Sequence, residues 1–208
     1  LREAQVLGRH GITDALVATP FNARPTTRAF SYLTDQLVKE TFFVATQYQH
    51  PLPNPMDSER LSLIAIGGYG RGEMAPQSDV DLLFLTPNKI TPWAQKVTES
   101  MLYILWDLKL KVGHASRTVK DCIKLAREDF IIRTSLVECR FIDGDEALAA
   151  KLSERLWTDL FQSTAAEFID AKLAERKERH RKQGGQRYVV EPNVKEGKGG
   201  LRDLQSLY

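Results

Sequence analysis

The chain has 208 residues, 42% hydrophobic and 27% charged, enough for one sizeable core or a core with a small annex. That composition excludes a disordered chain, and no run of about 18 uncharged apolar residues is present to cross a bilayer as a helix. A near balance of 29 basic and 27 acidic residues leaves a net charge of +2, which gives no global attraction to nucleic acid.

In chain order, Leu1 to about His10 reads as a short helix. Asn22, Pro25, Thr26 and Thr27 supply turn and cap chemistry before a long helix with Phe30, Leu33, Leu37, Thr41 and Val44 at helical spacing. A proline-rich link, Pro51 to Pro55, ends it. The apolar run Leu61 to Ile66, bounded by glycine, reads as a buried strand. A loop with four glycines and a proline follows over Gly67 to Ser78, long enough for a helical turn, and Asp79 to Leu85 is a second strand. Thr91 and Pro92 open an amphipathic helix with Trp93, Val97, Met101, Ile104, Leu105 and Leu108 on one face. Leu110 to Thr118 is a third strand, Val119 to Arg127 a helix, and Leu136 to Ile142 a strand or a helix end. Asp143, Gly144 and Asp145 make a turn. Two helices then span about Asp145 to Phe161 and Thr164 to Lys182, Gly184-Gly185 breaks the second, and Arg187 to Glu191 is extended. Trp93, Trp106 and Trp157 are expected in the core. Cys122 and Cys139 form no CxxC pair and no zinc spacing, so buried thiols in a reduced cytoplasmic chain are expected, without a signal peptide. The start at Leu1 and the end inside a helix-like stretch suggest a piece of something larger.

The segment that carries chemistry is Ile66-Gly67-Gly68-Tyr69-Gly70-Arg71-Gly72 through Ser78-Asp79-Val80-Asp81-Leu82. It holds neither a Walker loop nor the dinucleotide pattern GxGxxG. A glycine turn after a strand still lets backbone N–H groups approach phosphate closely. On a strand, Asp79 and Asp81 point to one face, about 6.6 Å apart at about 3.3 Å per residue. Two such carboxylates suit oxygen-loving Mg²⁺, and a metal so held assists in-line displacement at phosphate. The bland alternative is a glycine-rich loop followed by two solvent-facing aspartates.

A Gly-Gly pair and an Asp-apolar-Asp with ten residues between them resembles the nucleotidyltransferase superfamily signature of the polymerase-beta-like fold. Three stretches resemble the PII uridylyltransferase/uridylyl-removing family more narrowly: Gly67 to Leu83, Val112-Gly113-His114-Ala115-Ser116-Arg117-Thr118, and Tyr188-Val189-Val190-Glu191-Pro192-Asn193-Val194-Lys195-Glu196-Gly197-Lys198-Gly199-Gly200-Leu201-Arg202-Asp203-Leu204-Gln205. The resemblance implies an α/β (α+β) nucleotidyltransferase fold with a small mixed sheet and flanking helices. The order of elements along the chain divides it into a helical segment over 1–54, a core over 55–144, catalytic if the resemblance holds, and a helical annex over 145–208 leading into a truncated following domain. The resemblance implies transfer of UMP from UTP, with one or two Mg²⁺ ions, to a tyrosine of the PII nitrogen-regulatory protein, and no nucleic-acid or membrane partner. The removing and glutamine-sensing domains of the family are expected outside this chain.

Carried over residue by residue, Gly67 and Gly68 match the phosphate-accepting pair, and Asp79 and Asp81 match the metal carboxylates. Arg71 and Ser78 sit where a cation and a hydroxyl reach phosphate. One departure stands out: the next strand, Leu110 to Thr118, has no third carboxylate and offers Lys109, Lys111, His114 and Arg117 instead. His114 is a candidate for proton transfer or a structural histidine; Glu73 and Glu138 are carboxylates from elsewhere. From Glu175 to Arg202 nine basic residues face four acidic ones, a local +5. That tail is either a solvated face or a device folding Lys195, Lys198 or Arg202 onto the triphosphate. Two rival functions stay open: transfer of another nucleotide or to another acceptor, and a nucleotide-binding regulatory module without chemistry.

Overall fold

A computed structural model describes residues 1–54, 56–184 and 190–207. Two compact units make up the chain, Leu1–Leu160 and Phe161–Tyr208.

The first unit opens with α1 (Arg2–Ala18) and α2 (Ala23–Phe43), the latter continuing as a π-helical turn, Val44–Gln49. Strand β1 (Ser62–Ala65) runs into a single helical turn, α3 (Gly67–Gly70), and then β2 (Val80–Thr86). Next come α4 (Pro92–Asp107), β3 (Val112–Thr118), α5 (Val119–Glu128), α6 (Phe130–Val137), β4 (Arg140–Gly144) and α7 (Glu146–Leu156). The sheet is mixed, in the order β3-β2-β1-β4: β2 and β3 are parallel, while β1 is antiparallel to both β2 and β4. Four of the helices begin where the sequence supplies an acceptor for free backbone N–H groups, Asp129 accepting from Ile131 N and Ile132 N at the start of α6. Thr91 accepts from Ala94 N, Thr118 and Asp121 form a reciprocal capping box, and Asp145 accepts from Leu148 N.

Helices cover both faces, which is why β2 is apolar at nearly every position. Val80, Leu82 and Phe84 pack with Leu63 and Ala65 against Phe30, Val38 and Phe42 of α2 and Val97, Met101 and Leu105 of α4. Leu83 and Leu85 point the other way and are equally buried. The mixed sheet with flanking helices agrees with the expected architecture. Several expectations need correction. The first helix runs to Ala18 rather than His10, because packing on α2 overrides its glycines, with Gly8 letting the Leu33 side chain approach. Trp106 and Trp157 are not core: they are 45% and 61% exposed, Trp106 resting edge-on against Tyr103 on the outer side of α4. Trp93 is partly buried and donates to His50 O. Cys122 is buried, and burial pushes its thiol up to about 12, whereas Cys139 is only partly covered.

In the second unit α8 (Gln162–Lys182) carries a break in helical geometry at Thr164, and α9 (Leu201–Gln205) closes the described chain. The extended stretch expected from Arg187 to Glu191 lies mostly outside the described residues, as does Gly185. Among the described residues no helix is long and apolar enough to cross a membrane.

Candidate active site

The C-terminal end of β1 and the N-terminal ends of β2, β3 and β4 meet at one edge of the sheet. The glycine turn leaves β1 there. Ile66 N donates to Asp81 O, which anchors the turn beside β2, and the turn closes through Gly70 N to Ile66 O and Arg71 N to Gly67 O. The amides of Gly67, Gly68 and Tyr69 precede these internal donors and have no carbonyl partner within the turn. Gly67 has φ +56°, a conformation that favours glycine, and a Cβ there would lie 3.6 Å from Asp81 Oδ2. The phosphate-type turn and the Asp81 carboxylate are therefore immediate neighbours.

Asp81 is half-buried on β2, while Asp79 lies exposed just before the strand rather than on it. Burial, and then the Asp79 charge, hold the Asp81 carboxyl above the usual carboxylate range. Its register partner on β3 is Gly113, and a Cβ there would stand 2.3 Å from Asp81 Oδ1. Gly113 thus makes room for the carboxylate. It is the site residue that sequence reasoning missed, although a glycine inside a strand is a known mark of close approach. His114 pairs with Leu82, so strand alternation directs it to the opposite face from Asp81. The structure does not bring His114 to the carboxylates.

Arg71 is brought to the turn: its Nη2 lies 3.5 Å from where a Gly68 Cβ would be. Its Nη1 donates to Glu138 at 2.6 Å, and Glu73 pairs with Arg24 at 3.4 Å. Neither Glu73 nor Glu138 stands as a third carboxylate beside Asp81. Ser78 is exposed and spends its hydroxyl locally, accepting from Ala75 N at 3.0 Å. Among the described residues no group of three or more His, Cys, Asp or Glu side chains gathers as a metal site. Carboxylates beside a glycine turn are the kind of hard oxygen ligand a divalent cation takes, and backbone N–H groups of such a turn can donate to phosphate.

The basic loop belongs to the second unit and is knit internally. Asn193 Oδ1 accepts from Lys195 N and Glu196 N, and Arg202 Nε pairs with Glu196 at 3.0 Å. Asp203 accepts from Gly199 N, Arg179 and His180; burial would raise its carboxyl, but these donors hold it below the usual range. Lys198 and Arg202 are thus parts of an ordered loop, and Arg202 already has a carboxylate partner.

Residues 56–142 match the nucleotidyltransferase domain family, and residues 167–208 match the family described as GlnD PII-uridylyltransferase. Among curated proteins, the chain is 62% identical over all 208 residues to the bifunctional uridylyltransferase/uridylyl-removing enzyme of Cereibacter sphaeroides, covering 22% of that protein. It is 62% identical to that of Ruegeria pomeroyi and 51% to that of Erythrobacter litoralis, in each case over the whole chain and 23% of the relative. The mixed sheet with its flanking helices, and the match over residues 56–142, are those of a nucleotidyltransferase domain. Over its whole length the chain is thus similar to bifunctional uridylyltransferase/uridylyl-removing enzymes, and it spans between a fifth and a quarter of the length of these relatives.

Proposed function

We propose that this chain carries the transfer half of the chemistry named in its relatives: Mg²⁺-dependent transfer of UMP from UTP to a tyrosine of the PII protein, in the cytoplasm. The catalytic core is residues 55–144, flanked by the helical segments 1–54 and 145–208. One observation carries the reading, the contact between the glycine turn and the Asp81 carboxylate, with the Gly67 Cβ position 3.6 Å from Oδ2. A nucleotide substrate and a divalent metal go with this domain family in general.

The residues present fit such a metal. Asp79 and Asp81 are oxygen donors, and the like charge that helps hold the Asp81 carboxyl high is the kind a cation relieves. When bound, Mg²⁺ supplies neutralising charge to the phosphates of the nucleotide. Asp79 and Asp81 would hold it. The amides of Gly67 and Gly68 orient the phosphates, and Arg71, already leaning over Gly68, offers a cation from the side. Ser78 shapes the loop ahead of the aspartates through its bond to Ala75 N. Positioning and charge stabilisation supply the rate enhancement in such sites.

Incubation of the chain with UTP or ATP, Mg²⁺ and purified PII, followed by intact-mass measurement of PII, is expected to show a UMP adduct with UTP alone. An AMP adduct, or no adduct from a chain that binds UTP, would contradict the assignment. Gly68→Val is expected to leave the fold intact, since a Cβ there meets only Arg71 Nη2 at 3.5 Å. It should weaken UTP binding by about tenfold or more in calorimetry, because a side chain takes the space of a phosphate oxygen. Unchanged affinity in the folded variant would move the phosphate site elsewhere.

A further inference from the structure

The glycine turn is gripped from outside by residues far away in sequence. Arg140, the first residue of β4, forms a two-pronged pair with Asp35 of α2, Nη1 to Oδ2 at 2.7 Å and Nη2 to Oδ1 at 3.0 Å. The same guanidinium donates to the carbonyls of Tyr69 and Gly70, each at 3.3 Å, and lies 5.4 Å from the Tyr69 ring centroid. Tyr69, only 1% exposed, donates its hydroxyl to Asp35 Oδ1 at 2.6 Å. Burial and the Asp35 charge push that phenol up, which keeps it a donor.

Helix α2 continues the grip along the loop. Met74 N donates to Thr27 O and to Ser31 Oγ, each at 3.1 Å, and Arg24 pairs with Glu73. Thr27, Ser31 and Asp35 are spaced by four, so one polar stripe of α2 lies along the loop from Tyr69 to Met74. A turn with glycine at 67, 68, 70 and 72 has unusual conformational freedom and would spend little time in one shape unaided.

We propose that the Asp35–Arg140 pair, backed by the polar stripe of α2, is a clamp that preorganises the glycine turn to receive nucleotide phosphate. Asp35 and Arg140 are then positioning residues that act through Tyr69 and Gly70 and touch no substrate. The proposal rests on the nucleotidyltransferase reading above. A site that must be ordered on binding loses apparent affinity in proportion to how seldom it is competent when free. Losing the clamp therefore weakens nucleotide binding while leaving the protein acceptor's interaction untouched.

The test uses Arg140→Lys, which keeps the charge but cannot span a carboxylate and two carbonyls, and Tyr69→Phe, which removes one hydroxyl and keeps the buried ring. Calorimetry with UTP and Mg²⁺ should show about tenfold weaker binding for Arg140→Lys and two- to threefold for Tyr69→Phe. Hydrogen–deuterium exchange at the Gly70 and Arg71 amides should accelerate in both variants, while the amides of β1 and β2 keep wild-type protection. The KM for PII should not move. Wild-type UTP affinity in either folded variant, or faster exchange throughout the first unit, overturns the clamp. A wild-type chain that binds no UTP overturns the nucleotidyltransferase reading itself, and the clamp with it.

Discussion

Asp81→Asn should reduce transfer by about 10²–10³-fold or more while raising the temperature of unfolding at neutral pH. The loss of activity follows from removing one of two carboxylates in a donor set where no third stands nearby. The gain in stability follows from the direction of the titration. Burial, and then the Asp79 charge, raise the Asp81 carboxyl above its ordinary value, so the folded state binds this proton more tightly than the unfolded one. Stability therefore rises as pH falls through the folded-state pKa, and the full cost of the ionised carboxylate is present above it. Asparagine removes that cost at neutral pH, and its advantage over wild type should fade as the pH enters the titration range of Asp81. Asp79→Asn should lower transfer comparably and also relieve Asp81. Transfer at the wild-type rate by either variant would show the aspartate pair to be outside the chemistry; intact-mass assays beside thermal melts across pH 3–8 read both arms (a range bracketing carboxylate titration).

Gly113→Ala should produce a similar functional defect through a residue with no chemistry of its own. An added Cβ would stand 2.3 Å from Asp81 Oδ1, closer than two such atoms can approach. The group that yields is the carboxylate, a side-chain end, rather than the backbone of β3, which is hydrogen-bonded along its length to β2. Moving a reacting group by about 1 Å costs on the order of 10²-fold in rate. Transfer should fall by about that factor, with the unfolding midpoint little changed. If Gly113→Ala transfers normally, the Asp81 carboxylate does not need the place it holds beside β3.

The parts of the molecule that were readable in advance are those specified over a few residues. The apolar runs of β1 and β2, the glycine turn between them, and the helix start at Thr91 and Pro92 all follow from local spacing. So does the resemblance that leads to Asp79 and Asp81. What was not readable depends on register and tertiary packing. Gly113 has meaning only once β3 pairs in parallel with β2 and sets it opposite Asp81. His114, its neighbour, was singled out for its chemistry, yet the alternation of the same strand turns it away. Asp35 and Arg140 are 105 residues apart, and nothing in either local sequence announces the other. Trp106 misled because its helix is amphipathic over a broad arc; Val97, Met101 and Leu105 fill the core and leave Tyr103 and Trp106 outside.

The clamp also dictates when the site can exist. Arg140 opens β4, in chain order the last of the four strands of the described sheet, and β4 pairs with β1, made some 75 residues earlier. Until that pairing forms, the glycine turn lacks its guanidinium, and β1 offers one unpaired edge to any other strand that meets it. A nascent chain that stops short of Arg140 would carry both aspartates and every glycine of the turn, yet have no assembled phosphate seat. The strand that completes the sheet is thus also the one that completes the grip on the glycine turn.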